Sequence, residues 1–142
     1  MIDHISLNVS DPAVSRAFYV KALAPLGYEV AAEYGPVVGL KAADAEGGPG
    51  ADLWLAPAMD PAPVHLALTA ATAEQVDAFH TAALAAGGRD NGVPGERPHY
   101  HPGYYAAFVL DPDGNNLEVV CHDGPRAGAP ARAGPGRSHA TA

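Results

Sequence analysis

The chain has 142 residues, 48% of them hydrophobic and 17% charged, which suits one compact domain and excludes a disordered protein. Its 16 acidic and 8 basic residues give a net charge of −8, which argues against nucleic-acid or membrane-surface partners. The single cysteine, Cys121, excludes a disulfide scaffold, and with no signal-peptide pattern and no membrane-spanning run we expect a cytoplasmic protein.

The first 60 residues are predicted to form a strand, a helix and three further strands. Ile5, Leu7 and Val9 alternate with polar residues, which indicates a strand with one buried face. Ser10-Asp11-Pro12 is typical of a helix start. We expect Val14, Phe18 and Ala22 to form the apolar face of that helix and Gly27 to end it. Three apolar runs follow, at residues 28–34, 37–42 and 52–56.

Residues 61–122 are predicted to repeat this module. At an offset of 61, eight of 24 positions are identical, including His4 with His65 and Phe18 with Phe79. A strand from His65 is followed by the capping pattern Thr72-Ala73-Glu74-Gln75 and a second helix. Further strands are predicted at 89–93, 104–110 and 116–122, with a turn at 111–115.

The last twenty residues, 123–142, contain four Gly, six Ala, three Pro and three Arg without apolar periodicity. Such a segment has too little apolar surface to offset the entropy lost on ordering. We therefore predict one domain over residues 1–122, with module one at 1–60 and module two at 61–122, and a flexible tail.

Three potential metal ligands are predicted on the sheet faces opposite the helices. If Ile5 and Leu7 pack on a helix, His4 points to the other side, and the same argument holds for His65 and Glu118. Two imidazoles and one carboxylate are typical of divalent-metal sites that leave coordination positions open for a substrate. The alternative is that each is an ordinary hydrogen-bonded or solvated strand residue.

The chain resembles the vicinal oxygen chelate superfamily, which includes glyoxalase I, bleomycin-resistance, fosfomycin-resistance and extradiol dioxygenase proteins. The resemblance lies in four segments spread over residues 2–122. They are the segments DHISLNV at 3–9, AFY at 17–19, VHLAL at 64–68 and FVLDPDGNNLE at 108–118. It implies an α+β fold of two tandem βαβββ modules, whose curved mixed sheets enclose a cavity for a divalent metal.

The family's metal positions map onto His4, His65 and Glu118. The fourth ligand of glyoxalase I falls on Trp54, whose indole nitrogen only donates and cannot bind a metal. Asp52 is a weaker substitute, two residues away. A set of two His and one Glu resembles the extradiol dioxygenases and fosfomycin-resistance enzymes instead, although phosphonate binding needs cations and the chain offers chiefly Arg97.

The segment 96–105 is rich in aromatic and titratable side chains and is predicted at the cavity mouth. The candidate catalytic residues are Glu118 and His101, with His101 as a general acid or base, and the alternative for the residues of this segment is aromatic packing within a loop. His80 and His139 are predicted to be exposed and uninvolved. The candidate substrate-binding residues are Ser6, Trp54, Arg97, His99, Tyr100 and Tyr104.

These observations predict a metal-dependent enzyme. One Fe, Mn, Ni or Zn ion would chelate two adjacent oxygens of a small substrate in a lyase, isomerase or dioxygenase reaction. The alternative is a metal-free, bleomycin-resistance-like protein that sequesters a drug. We expect a homodimer, and the sequence leaves open whether one chain or two enclose the cavity.

Overall fold

The computed structural model describes residues 1–43, 45 and 48–125. Within them each half of the chain forms a strand, a helix and three more strands, as the repeat predicts. Module one contains β1 (Ile5–Val9), α1 (Pro12–Ala22), a short 3-10 turn (Ala24–Leu26), β2 (Tyr28–Tyr34), β3 (Val37–Ala42) and β4 (Leu53–Pro57). Module two contains β5 (His65–Thr69), α2 (Ala73–Ala85), β6 (Arg89–Glu96), β7 (Tyr105–Leu110) and β8 (Asn116–Cys121).

Each module builds one four-stranded mixed sheet. The strand order is β1-β4-β3-β2 in the first sheet and β5-β8-β7-β6 in the second. The first strand of each module pairs in parallel with the last, while the other pairs are antiparallel. The α+β architecture of two tandem modules is therefore confirmed, and β1 and β5 both stand at a sheet edge.

The two helices pack against each other and against the inner faces of the sheets. Phe18, Tyr19 and Phe79 are buried there in one hydrophobic core shared by both modules. The alternating residues of β1 explain the arrangement, because Leu7 and Val9 are buried whereas Ser6 and Asn8 are exposed. The outer face of each sheet is thus turned away from the helices.

Both helix starts follow the predicted capping chemistry, with one change in detail. Asp11 accepts hydrogen bonds from the Ala13 and Val14 amides, and Thr72 accepts one from the Gln75 amide. The Gln75 side chain accepts from the amide of Ala71, one residue before the position expected in a capping box.

The predicted apolar face of α1 is wrong at one position. Val14 is 49% exposed, and Ser15 and Tyr19 are buried beside Phe18 and Ala22 instead. The buried stripe is therefore shifted by one residue at the start of the helix, where Ser15 is small enough to lie against the core.

The turn at 111–115 links the two modules by hydrogen bonds from Tyr19 to Asp111 and from Ser10 to Asp113, which we call the latch. Asp111 is buried and accepts from the amides of Asp113 and Asn115, from the Asn115 side chain and from the Tyr19 hydroxyl of α1. Asp113 in turn accepts from the amide and hydroxyl of Ser10. The motif that carries the family resemblance thus connects module two to the start of module one.

Strand β6 continues three residues beyond the predicted end at 93 and includes Pro94. It is an edge strand with irregular register at Gly92 and Gly95, so a residue without an amide proton costs no central hydrogen bond. The other strand ends differ from the prediction by at most one residue. Residues 126–142 of the predicted tail, with His139, lie outside the described residues.

His80 was predicted to be exposed, and this is wrong. It is 9% exposed, and its Nε2 lies 2.9 Å from Asp90 Oδ1. The hydrogen bond to His80 is the main reason that the pKa of Asp90 is lowered. His80 therefore ties α2 to β6 and has a structural role.

Candidate functional site

The outer face of the second sheet brings His65 and Glu118 together. They lie on neighbouring parallel strands, where Ala67 is the register partner of Glu118. His65 Nε2 is 2.8 Å from Glu118 Oε2, and the Tyr104 hydroxyl donates to Glu118 Oε1. Glu118 is only 3% exposed, so its carboxylate is buried with both oxygens engaged.

Tyr104 holds its proton tightly in this arrangement. Burial, together with the hydrogen bond to the Glu118 carboxylate, raises the pKa of Tyr104 to about 12. The phenol is therefore a neutral donor at physiological pH, and it fixes one oxygen of Glu118 while leaving the other beside His65.

The outer face of the first sheet carries a cavity of about 490 Å³ around His4. Ser6 and Trp54, paired in register on β1 and β4, line it together with His4. His4 Nδ1 is 2.7 Å from Asp3 Oδ1 and donates to this carboxylate. The other ring nitrogen, Nε2, then has the lone pair that a metal ion would need. Asp52, the considered substitute ligand, instead accepts from the amide of Ala42.

Trp54 packs over Gly39 of the neighbouring strand β3. A Cβ atom at Gly39 would stand 2.7 Å from the indole ring, so the ring needs a glycine beneath it. The exposed Tyr34 ring stacks on Trp54 with centroids 5.9 Å apart. The pair forms an aromatic wall on the outer face of the first sheet.

The loop before β7 packs into an aromatic cluster at one end of the second sheet. His99 packs against Tyr100 and Tyr100 against Tyr104 with the rings tilted, and the centroids are 4.3 and 4.9 Å apart. Arg97 lies 5.7 Å from the centroid of Phe108, and its guanidinium donates to the Val93 carbonyl. Aromatic packing therefore accounts for much of this loop, as the alternative interpretation held.

His101 and His122 form a pair within the same cluster. His101 Nε2 is 2.9 Å from His122 Nδ1, and both rings pack edge-on against Tyr104. Sequence reasoning identified His101 as a site candidate but did not pair it with His122, because the two positions are 21 residues apart and meet only when the loop folds back. Tyr34 was missed altogether, since no spacing links it to Trp54.

The predicted ligands do not meet within one chain. His65 and Glu118 lie on the second sheet and His4 on the first, and both outer faces point away from the shared helices. Among residues 1–43, 45 and 48–125, no group of three His, Cys, Asp or Glu side chains is close enough to hold a metal ion.

The His65–Glu118 pair nevertheless has the spacing of two ligands of one ion. Donor atoms about 2.1 Å from a metal, at an angle near 90°, are about 3 Å apart. The 2.8 Å separation of His65 Nε2 and Glu118 Oε2 is a hydrogen-bond contact, and a small movement apart would let both atoms bind one ion. An imidazole nitrogen and a carboxylate oxygen also suit the divalent ions of the first transition row.

Comparison with known proteins agrees with this architecture. The model of the Glyoxalase/Bleomycin resistance protein/Dioxygenase superfamily matches residues 1–119. The chain belongs to this superfamily. No curated protein matches it significantly. Within the described residues, no helix of this superfamily member is long and apolar enough to cross a membrane.

Solved structures of superfamily members share the fold. A glyoxalase/bleomycin resistance protein from Albidiferax ferrireducens is 28% identical, with a TM-score of 0.68, and the match covers 83% of this chain and 95% of the other. A lactoylglutathione lyase from Agrobacterium tumefaciens is 23% identical, with a TM-score of 0.60 and coverage of 84% and 92%. A glyoxalase I from Zea mays, at 23% identity and a TM-score of 0.63, matches 84% of this chain over 46% of its own length. The last two likenesses concern the fold alone.

Proposed function

We propose that this superfamily member is a divalent-metal-dependent enzyme that acts on a small substrate through two adjacent oxygens. The observation that carries the proposal is the buried Glu118 carboxylate, 2.8 Å from His65 and held from the other side by Tyr104. His4 is the third ligand. The metal, when bound, supplies a Lewis acid that stabilises negative charge on the substrate oxygens.

The site is completed by a homodimer. His4 precedes β1 and His65 opens β5, and both strands stand at open sheet edges. A partner that aligns its β5 edge with β1 would bring its own His65 and Glu118 toward His4, because paired strands are about 4.8 Å apart. Ile2 and Val64, beside these histidines, are 81% and 47% exposed apolar residues that such a contact would cover.

The chain's own residues orient the chemistry. Tyr104 keeps Glu118 in one position, so that the carboxylate needs no rearrangement when substrate binds. Ser6 and Trp54 bound the cavity beside His4 and would contact the substrate there. Arg97 and Phe108 would form the wall on the opposite side of the joint cavity.

A mixing experiment tests ligand set and dimer together. We expect that neither His4→Ala nor Glu118→Ala alone binds Mn²⁺ or Zn²⁺ in calorimetric titrations. After the two variants are unfolded and refolded together, half of the dimers contain one of each chain. One of their two sites is intact, which gives about one metal ion per four chains.

The control is Glu29→Gln, an exposed carboxylate on β2, which should bind metal like the unaltered protein. A refolded mixture of His4→Ala and Glu118→Ala that binds no metal would contradict a site shared between chains, because a shared site requires that mixing restores metal binding. Undiminished binding in Glu118→Ala would contradict the ligand assignment itself.

A second candidate function is drug sequestration without a metal. It is favoured by the Tyr34–Trp54 stack and by the acidic charge of the chain, which suit a cationic ligand with planar rings. Because Trp54 is the only tryptophan, quenching of its fluorescence by bleomycin in metal-free protein would measure such binding directly. Stoichiometric quenching without metal would support this function over the enzyme.

A further inference from the structure

His101 and His122, which lie near the His65–Glu118 pair, are held by a chain of hydrogen bonds that all run in one direction. His101 Nδ1 lies 2.9 Å from the Pro102 carbonyl oxygen, and a carbonyl only accepts, so Nδ1 of His101 carries a proton. In a neutral imidazole the other nitrogen is then an acceptor. His101 Nε2 therefore accepts from His122 Nδ1–H over 2.9 Å.

This chain determines the tautomer of His122. With its proton on Nδ1, its Nε2 presents a lone pair, and no side chain within the described residues donates to that atom. His122 is exposed whereas His101 is half-buried, so the lone pair is at the open end of the chain. An imidazole whose Nδ1–H donates to a fixed acceptor keeps the lone pair of Nε2 in one direction, and that nitrogen can act as a general base.

The pair lies one aromatic ring away from the proposed metal ligands. The Tyr104 hydroxyl donates to Glu118, and the centroid of its ring is 5.4 Å from that of His122 and 5.2 Å from that of His101. Tyr104 is uncharged at physiological pH, and no ion pair of the described residues includes either histidine. A substrate anchored at Glu118 and lying over Tyr104 would extend toward His122.

We propose that His122 is a catalytic base for the far end of the substrate and that His101 is its positioning residue. The proposal rests on the proposed function, and it specifies the substrate class as a carbonyl compound with an acidic C–H beyond its two chelated oxygens. His122 Nε2 takes the proton from that carbon. The C–H electron pair forms a carbon–carbon double bond, and the carbonyl π pair moves to its oxygen, at the end nearest Glu118.

The imidazolium that forms keeps its donor bond to His101, and His101 keeps its bond to the Pro102 carbonyl. Return of the proton to the same or another carbon regenerates neutral His122. The step therefore balances without an oxidant, a reductant or a second substrate.

The first test measures the tautomers in metal-free protein. In nitrogen-15 spectra of the histidine rings at about pH 8, we expect both His101 and His122 in the Nδ1–H form, whereas free imidazole side chains favour Nε2–H. In His101→Phe, which keeps an aromatic ring but removes the acceptor, His122 should change to the Nε2–H form. An Nε2–H tautomer of His122 in the unaltered protein would overturn the proposal.

The second test follows a proton directly. The probe is 1-hydroxybutan-2-one, whose hydroxyl and carbonyl are adjacent and whose C3 methylene lies beyond them. In D₂O, the Mn²⁺- or Zn²⁺-treated protein should incorporate deuterium at C3, as measured after protein removal by proton NMR, which distinguishes the C3 methylene from the C1 methylene. We expect His122→Asn to slow incorporation about 100-fold, and Asp123→Asn, the exposed neighbouring position, to leave it unchanged.

Metal titration of the same samples separates the two proposals. If His122→Asn binds metal normally yet exchanges C3 as fast as the unaltered protein, the base assignment fails while the proposed function stands. If the unaltered protein binds no metal, the proposed function fails. Metal binding without any C3 exchange by the unaltered protein would overturn the role of His122 alone.

Discussion

Tyr104 and Tyr105 are consecutive residues that bond to carboxylates on opposite sides of the second sheet. Tyr104 donates to Glu118 on the outer face and Tyr105 to Asp77 of α2, 2.8 Å away. Burial and these hydrogen bonds raise the pKa of each phenol from 10.0 to about 12. As pH rises above 10, the unfolded chain therefore loses the hydroxyl protons of Tyr104 and Tyr105 before the folded chain does.

This difference predicts a loss of stability in alkali. Between pH 10 and 12 the unfolded state is deprotonated at these tyrosines while the folded state is not, so the free energy of unfolding decreases as pH rises. Urea unfolding at a series of pH values should show the decrease. Tyr104→Phe should make it shallower, whereas Tyr34→Phe, an exposed ring on the other sheet, should not.

Individual residues also show where sequence reasoning reached its limit. His65 and Glu118 could be predicted to share a face, because strand alternation alone determines it. The burial of His80 and the pairing of His101 with His122 could not, since both depend on partners that only the folded chain brings close.

At the scale of elements, the packing of the Trp54 side chain of β4 over β3 depends on a single glycine, Gly39. A Cβ at Gly39 would lie 2.6 Å from Ala51 Cβ and 2.7 Å from the Trp54 ring. We expect Gly39→Ala to displace the indole, to shift its fluorescence maximum and to destabilise the fold by about 1–3 kcal/mol. Gly48→Ala, where no atom lies within 4 Å, is the matched control. Unchanged fluorescence in Gly39→Ala would contradict the packing of Trp54.

The turn between β7 and β8 is the second element with a measurable contribution. Asp111→Ala leaves the Tyr19 hydroxyl and three donors of the turn without their acceptor, and all but the Asp113 amide are in a buried position. We expect a loss of about 3 kcal/mol in the free energy of unfolding, measured with urea. Asp123→Ala, at an exposed position, should change it by less than about 0.5 kcal/mol. Equal stability of the two variants would show that the turn does not hold the modules together.

Strand β6 illustrates why element boundaries were harder to predict than element types. The prolines after residue 93 predict an interruption, yet the strand continues through Pro94 because it lies at the edge of its sheet. Edge position is a property of the sheet order, and nothing local to residues 89–96 encodes it. The turn at 111–115, by contrast, was predictable because its Pro, Gly, Asp and Asn residues act locally.

For the molecule as a whole, the two outer faces require a partner if the proposed site is to form. We expect Val64→Lys, a charge beside the open edge of β5, to reduce both the dimer population and metal binding while secondary structure is retained. Val93→Lys, also at an exposed valine but on β6, should preserve both properties. Sedimentation velocity and metal titration on the same samples measure the two effects. A monomeric Val64→Lys variant with full metal binding would contradict a shared site.

The repeat predicted the two modules and the sheet face of each proposed ligand, but the relation between the two outer faces was not accessible from the sequence. Periodicity reports which side of a strand is buried. It does not report whether the two exposed sides belong to one chain's cavity or to an assembly.

The latch made by Asp111 and Asp113 breaks the symmetry of the repeat. At the offset of the repeat, Ser10 and Asp11 correspond to Ala71 and Thr72, so module two has no counterpart of the Ser10 hydroxyl that donates to Asp113. Tyr19 corresponds to His80, which bonds to Asp90 and not to a turn of module one. The two modules are therefore complementary and not interchangeable. Two copies of module one would lack Asp111 and Asp113, and two copies of module two would lack Ser10 and Tyr19, so neither pairing could form these hydrogen bonds.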